Sequence, residues 1–517
     1  MGRRIVRDTL RVTLASAAAQ VVIFVAAAYI AAVFGATWQT DAFNLAFTVP
    51  LFGANVVREA IKAVFVPVLV EIKVHRPGDI RAVVGSTLFA VAVVSCLAGL
   101  VLPAAASWAL PLTAPGLTPQ AARLTVTALW ELAPVLPLMC LAGVLSGLLN
   151  SYQRFSLPML VPGLEAALKA ACVLLLASRL GIHSLALGNV LGAMASVAAM
   201  AVWARRQGLP LGFAPTLHPG LARMARLAAF PLCGNALLLL NPFVDRAVAA
   251  RLAAGSITAL NYAERINGLP YVLVGAGLFS VILSHWSQMV AEQGSEDLGR
   301  ACREGLVTLV HALAPVAGVF FVLRYPLVRL ALERGRFDAA ASALTAVALG
   351  ALALGILPSY VGLLLTRVYL VLQDTRTPML LGMLNAGLNL ALNLALVGPL
   401  GLKGIALSTT LTLTIVAAVS AWLVARRLQG VGWRSLASPL ARSLLVGALC
   451  AAVVHLAYAG WQASVGDRML STLAAGLAVA GLAGGLAFVA GSLALRLLEP
   501  RRLLGWLRPH AAGGEAR

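Results

Sequence analysis

The chain has 517 residues, 60% hydrophobic and 11% charged, with a formal net charge of +20 and a mean hydropathy of +0.91. A water-soluble core of this length needs far more polar surface, so composition excludes a soluble enzyme and requires a polytopic membrane protein. A pI near 10.9 would suggest nucleic acid in a soluble chain, but here the basic residues are scattered over short connections, so no nucleic-acid partner is expected.

Apolar windows of about 20 residues fall near 12–35, 41–70, 82–105, 126–150, 156–178, 183–204 and 221–250. A second set falls near 263–290, 305–323, 342–373, 379–399, 402–425, 443–461 and 470–495. The expected fold class is all-α, with about 14 transmembrane helices. The opening MGRRIVRDTLR has the basic character of a signal peptide, but the apolar run after it lacks a small-residue cleavage site, so it reads as a retained helix. Lys and Arg collect on the connections that share a side with the N-terminus, which predicts cytoplasmic termini. The exception is RYPLVRLALERGRFD, an external connection expected to form an amphipathic helix lying on lipid head groups.

Six cysteines carry no CxxC spacing and seven histidines no HExxH. No metal, cofactor or nucleophilic triad is expected. External connections are too short to hold the carboxylates of a glycosyl polymerase or ligase, and a purely structural scaffold would not need charges inside its spans.

Three motifs recur in order. AFNLA from Ala42 returns as ALNYA from Ala259, QRFSLPML from Gln153 as QDTRTPML from Gln373, and GIHSLAL from Gly181 as GLKGIAL from Gly401. An offset of about 220 residues holding six spans, an even number, predicts two parallel six-helix repeats, 1–220 and 221–440, with the substrate between them. Residues 441–517 then form an appendage of two additional helices and a basic cytoplasmic tail.

Charges inside apolar spans are costly and mark a substrate path. Glu264 and Arg265 sit in GSITALNYAERINGLP, and the second span carries Asp41, Asn55, Arg58, Glu59 and Lys62. Arg58 and Lys62 share a helix face and read as a cationic wall for an anionic substrate. In the fifth span Glu165 and Lys169, four apart, read as a structural intrahelical pair. Asn385, Asn389 and Asn393 form a stripe expected to glue helices together. Asp245 and Arg246 are expected to compensate each other, and Pro50, Pro270 and Pro358 to bend their spans.

FGATWQTDAFNLAF, NPFVDRAVAARLAAGSITALNYAERINGLP, PLVRLALERGRFDAAASALTA and LQDTRTPMLLGMLNAGLNLALNL resemble the MurJ/MviN family of lipid II flippases, over essentially the whole chain. The resemblance implies two six-helix lobes around a V-shaped cavity, an extra helix pair forming a groove for a polyprenyl tail, and alternating access without covalent chemistry. It implies a place in the bacterial inner membrane, an undecaprenyl diphosphate-linked sugar as substrate, and membrane lipids and cell-wall synthesis proteins as partners. Asp41, Glu59 and Arg265 match the family's polar cavity residues. Arg58, Lys62 and Glu264 complete the candidate substrate-binding set. Three cations expected from the family are replaced by Gln20, Ala26 and Ala54, and a family acidic or amide position by Gly268. The alternative is therefore a flippase for another undecaprenyl-linked oligosaccharide of exopolysaccharide synthesis, with a drug/cation antiporter third.

Overall fold

In hydrocarbon every backbone N–H and C=O must be satisfied within the chain, which leaves helices as the economical solution for an apolar sequence. The computed structural model describes residues 2–213, 239–271, 297–428 and 433–495, with a few single positions between them. The windows near 221–250 and 263–290, with Cys233, lie partly outside the described residues, and so does the basic tail.

Among the described residues all regular structure is helical: α1 (Gly2–Phe34), α2 (Trp38–Ala60) running through a π turn (Ile61–Phe65) into α3 (Val66–His75), α4 (Ile80–Thr113), α5 (Pro119–Glu131), α6 (Val135–Ser151), α7 (Ser156–Leu180) and α8 (His183–Arg206). A helical stretch at 239–249 precedes α9 (Ser256–Asn267), α10 (Leu298–Val322), α11 (Arg324–Leu332), α12 (Ala339–Ala353), α13 (Ile356–Val371), α14 (Arg376–Arg427), α15 (Trp433–Ser464) and α16 (Leu470–Ala494).

Eight helices are long and apolar enough to cross a membrane, or up to ten when the pairs α5–α6 and α12–α13, bent by 45° and 43°, each count as one span. The expected count of about 14 is not reached among the described residues. Part of the gap is α14, whose 52 residues make about 78 Å of helix, more than twice the hydrocarbon thickness. It turns at Gly401 (φ 55°), so it serves the two separate windows 379–399 and 402–425.

The internal repeat is written in the backbone. Positive φ recurs 220 residues apart at Gly35 and Gly255, Gln153 and Gln373, and Gly181 and Gly401. Glutamine is an unusual choice for this region, and both copies close the same helix-ending turn: Arg154 N–H donates to the Leu149 carbonyl, and Asp374 N–H to the Tyr369 carbonyl, each at 2.9 Å.

How the core is distributed decides the shape. One cluster joins both halves of the chain: Ala31, Phe43 and Leu45 pack with Leu260, Val328 and Phe337, at the end where α1 finishes and α2 and α9 begin. The other two large clusters draw almost wholly on one half each: Ile61, Phe65, Val84 and Leu148 in the first, joined by Met224 from just past the boundary, and Leu309, Leu364, Val368 and Tyr369 in the second. The halves thus share apolar contact at the α1 C-terminal end and keep separate cores toward the other.

Helix α11 packs one face on protein. Val328 and Leu332 are buried in the shared cluster, Leu323 packs on Val454 and Tyr458 of α15, and Arg329 donates to Asp467 in the α15–α16 turn at 3.0 Å. One of its arginines is thus engaged by protein.

Candidate functional site

The shared end is closed by a helix cap made across the two halves. Helix α2 caps itself, with Thr37 and Thr40 exchanging backbone and side-chain bonds. Helix α9 starts at Gly255 (φ 92°) with no side chain of its own at the cap. Asp41 supplies the missing acceptor: one carboxylate oxygen takes Gly255 N–H at 2.6 Å, and the other takes Thr258 N–H and the Thr258 hydroxyl, both at 2.7 Å. A carboxylate here satisfies orphan donors and meets the positive end of the helix dipole. Asn44 adds a bond to the Thr258 hydroxyl at 3.1 Å.

A second tie lies beside it. Arg336 N–H donates to the Ala32 carbonyl at 2.7 Å, and Phe337 meets Tyr262 edge-on with centroids 5.6 Å apart. Gly335 (φ 57°) permits this approach, since a Cβ there would stand 2.4 Å from the Ala32 oxygen.

Inward of this junction lies a cavity of about 200 Å³, lined by Gln20, Ile23 and Phe24 of α1 and by Glu264, Arg265, Gly268 and Leu269. Arg265 is exposed to it and makes no hydrogen bond or ion pair among the described residues. Glu264 is engaged by Arg246 at 3.1 Å, and Arg246 also donates to the Pro242 carbonyl at 2.9 Å. The structure therefore brings together Glu264 and Arg265 of the candidate set.

Arg58, Glu59 and Lys62 form a separate group. They lie 17 or more residues along from Asp41, about 25 Å inward by helical rise. Lys62 bonds Glu59 at 2.8 Å with side-chain exposures of 60% and 37%, and Arg58 donates to Asn55 at 3.1 Å. A π turn, an uncommon device often found at functional positions, carries Lys62. Its apolar side, Ile61 and Phe65, seats on α6 at Gly147, where a Cβ would come within 2.5 Å of Ile61. Lys62 and Ala63 are left exposed.

Of the three positions where the resemblance puts extra cations, only Gln20 faces the cavity, and Gly268 lines it too. Ala26 and Ala54 are 4% and 1% exposed, Ala54 packing with Leu136 and Cys140. Neither has room for a guanidinium.

Two expected pairings take different partners. Asp245 and Arg246 attract each other electrostatically but form no direct ion pair among the described residues: adjacent residues diverge around a helix, so Arg246 reaches Glu264 while Asp245 accepts from Asn393. Asn393 also donates to Asn389 and accepts from Ser408, and Asn241 donates to Asn385 at 2.6 Å. The asparagine stripe is glue, as read from its spacing. Glu165 and Lys169 also part company: Ser196 donates to Glu165 at 2.6 Å, while Lys169 turns to Asn189 at 3.4 Å and to the Phe47 ring. Nothing in the sequence signalled the caps on α9 or the Arg246–Glu264 contact, because both depend on which helices meet.

The family model described as "Lipid II flippase MurJ" matches residues 30–474. The lipid II flippase MurJ of Burkholderia cenocepacia is 28% identical over 364 residues, covering 68% of this chain and 70% of the relative. The probable lipid II flippase MurJ of Synechocystis sp. is 28% identical over 454 residues, covering 84% and 83%. Among solved structures, a lipid II flippase MurJ in an inward closed conformation superposes with a TM-score of 0.79 at 20% identity, covering 94% of this chain and 98% of that one. An inward-facing multidrug resistance MATE family transporter gives 0.67 at 14% identity, covering 79% and 94%. These two likenesses show the fold.

Proposed function

Because this chain belongs to the lipid II flippase MurJ family, we propose that it translocates lipid II, the lipid-linked peptidoglycan precursor, across the bacterial cytoplasmic membrane by alternating access, without covalent chemistry. The observation that carries this reading is the division of the core, joined at one end and separate at the other, with Arg265, which has no ion-pair partner among the described residues, in a cavity beside the joint. Residues 1–220 and 221–440 act as two lobes, and 441–517 as an appendage beside the second. With both termini cytoplasmic, the Asp41 cap closes the external side and the cavity opens inward, ready for a head group synthesised in the cytoplasm.

In this reading Arg265 takes the diphosphate. An arginine with no carboxylate partner keeps its donors for a phosphate, and each charge-assisted bond of this kind contributes about 1.5 to 3 kcal/mol. Arg58 and Lys62 meet the substrate earlier, nearer the inner mouth, and Glu59 and Glu264 hold neighbouring cations in place. The alternative substrate, another undecaprenyl-linked oligosaccharide, draws on the lost cations at Gln20, Ala26 and Ala54. Cell-wall synthesis proteins are the partners this function would bring.

The test is rescue of a cell depleted of its own lipid II flippase. The wild-type chain should restore growth, and Arg265→Ala, at matched membrane levels, should not. Arg265→Lys should rescue in part, since charge remains and the fork geometry is lost. A wild-type chain that inserts correctly and does not rescue overturns lipid II in favour of another polyprenyl-linked sugar.

A further inference from the structure

Lys169 is a second cation at the depth of Arg265. Three independent registers agree on this. From the cap contact of Asp41 with Thr258, Phe47 lies six residues inward along α2 and Arg265 seven residues inward along α9, about 9 and 10 Å respectively. The Lys169 ammonium stands 5.7 Å from the Phe47 ring centroid. On α1, Tyr262 reaches the Ala27 carbonyl at 3.5 Å, which sets Arg265 one turn further in, beside Phe24. Helix α7 runs parallel to α1 and touches it where a Cβ on Gly163 would lie 3.0 Å from Ala19. Six residues outward from that contact, Lys169 is level with Val25.

The α7–α8 pair holds this lysine rigidly. A Cβ on Gly188 would come 2.8 Å from the Lys169 Cα, and one on Gly192 3.1 Å from the Glu165 Cα, so α8 packs backbone-close beneath both residues. Glu165, one turn inward, lies within electrostatic reach of Lys169, and so does Arg265. Yet Glu165 is bonded by Ser196, no ion pair joins it to Lys169 among the described residues, and the lysine's one polar contact is a long bond to Asn189. Two cations held level in a membrane interior, neither in an ion pair, repel each other until an anion comes between them.

We propose that Lys169 and Arg265 together form the anion site for the substrate, one cation for each phosphate of a polyprenyl diphosphate. This rests on the flippase reading above and deepens it. It explains how the chain dispenses with cations at Ala26 and Ala54: the charge comes from α7 instead of from α1 and α2. Arg58 and Lys62, about 15 and about 21 Å nearer the inner mouth by helical rise, are too far to share one diphosphate with Arg265.

The test uses the purified full chain in lipid nanodiscs, with farnesyl diphosphate and farnesyl monophosphate as probes. Wild type should prefer the diphosphate. Lys169→Gln should weaken diphosphate binding about tenfold, Arg265→Gln at least as much, and Lys169→Arg should stay within about threefold of wild type. Monophosphate binding should change little in Lys169→Gln, a selectivity that loss of packing would not produce. If Lys169→Gln fails to reach the membrane, Lys169→Met, which keeps an unbranched side chain one atom shorter and drops the charge, makes the same comparison. Undiminished diphosphate binding in Lys169→Gln, with Arg265→Gln weakened, overturns the role of Lys169 and leaves the flippase reading standing. A wild type that binds neither probe removes the diphosphate site altogether, and Lys169 with it.

Discussion

Helix α2 and its π turn carry charge at both ends, and the two ends have opposite fates. At the end where the halves join, Asp41 is 7% exposed and accepts three hydrogen bonds from Gly255 and Thr258 at the start of α9. At the other end Lys62 and Glu59 pair with each other, with much of each side chain exposed. The same residue types read alike in the sequence, as ionisable groups in an apolar span. What separates them is whether the other half of the chain is there to meet them. Charge at the closed end has become structure, and charge at the open end is left available.

The largest test of this contrast is Asp41→Ala. It removes the carboxylate that accepts from the Gly255 and Thr258 amides at the start of α9 and leaves both unsatisfied, a loss of about 3 kcal/mol. If that energy holds the junction shut, the closed-to-open ratio falls by roughly a hundredfold. Ala259, fully buried at the joint, reports the change: in a background lacking the native cysteines, Ala259→Cys should resist a membrane-impermeant maleimide alone and react readily when combined with Asp41→Ala. Equal protection in both would show that the shared apolar cluster alone keeps the junction closed.

An intermediate case is Asp374, in the connection between α13 and α14. It is paired, like Asp41, but close to water. Burial pulls its carboxyl up, and the Thr377 hydroxyl and amide and the Arg427 guanidinium outweigh this, leaving it lowered from 3.8 to about 2. A depressed folded value means that the pairing stabilises above the unfolded value near 3.8 and is lost as pH falls through about 2. Asp374→Asn should therefore cost about 1 kcal/mol at neutral pH, reduced by screening, and flatten the acid limb of thermal unfolding between those two values. An unchanged acid limb would place the Arg427 contact among the surface pairs that contribute nothing measurable.

Most of the fold was legible because it follows from local signals. Apolar windows located the helices, and the repeated Gln and Gly motifs coincide with the paired positive-φ turns. The asparagine stripe declared its role through spacing alone. Arg265 stood out as a cation in an apolar span, and in the structure it lines a cavity. What stayed hidden depends on the meeting of distant segments: Asp41 with Thr258 is a contact 217 residues apart. Lys169 was read as half of an i,i+4 pair because Glu165 is its sequence neighbour. The close packing of α8 through Gly188 and Gly192, which turns the two side chains to separate partners, has no local signature.

The smallest expected effect is the most direct check on the open end. Exposed ion pairs contribute little, because water solvates both partners and long side chains lose freedom in pairing, so Lys62→Gln should shift thermal unfolding by less than about 0.5 kcal/mol. Its effect should appear in transport instead. Arg58→Gln with Lys62→Gln should slow rescue of a flippase-depleted cell by several-fold while Ala259→Cys stays protected, since the junction is far away and untouched. Destabilisation on the scale of Asp41→Ala would break the contrast, because it would mean that the inner charges are also sealed in structure. Full rescue at wild-type stability would sharpen it in another way, leaving the deep pair, Lys169 and Arg265, as the cations on which head-group binding depends.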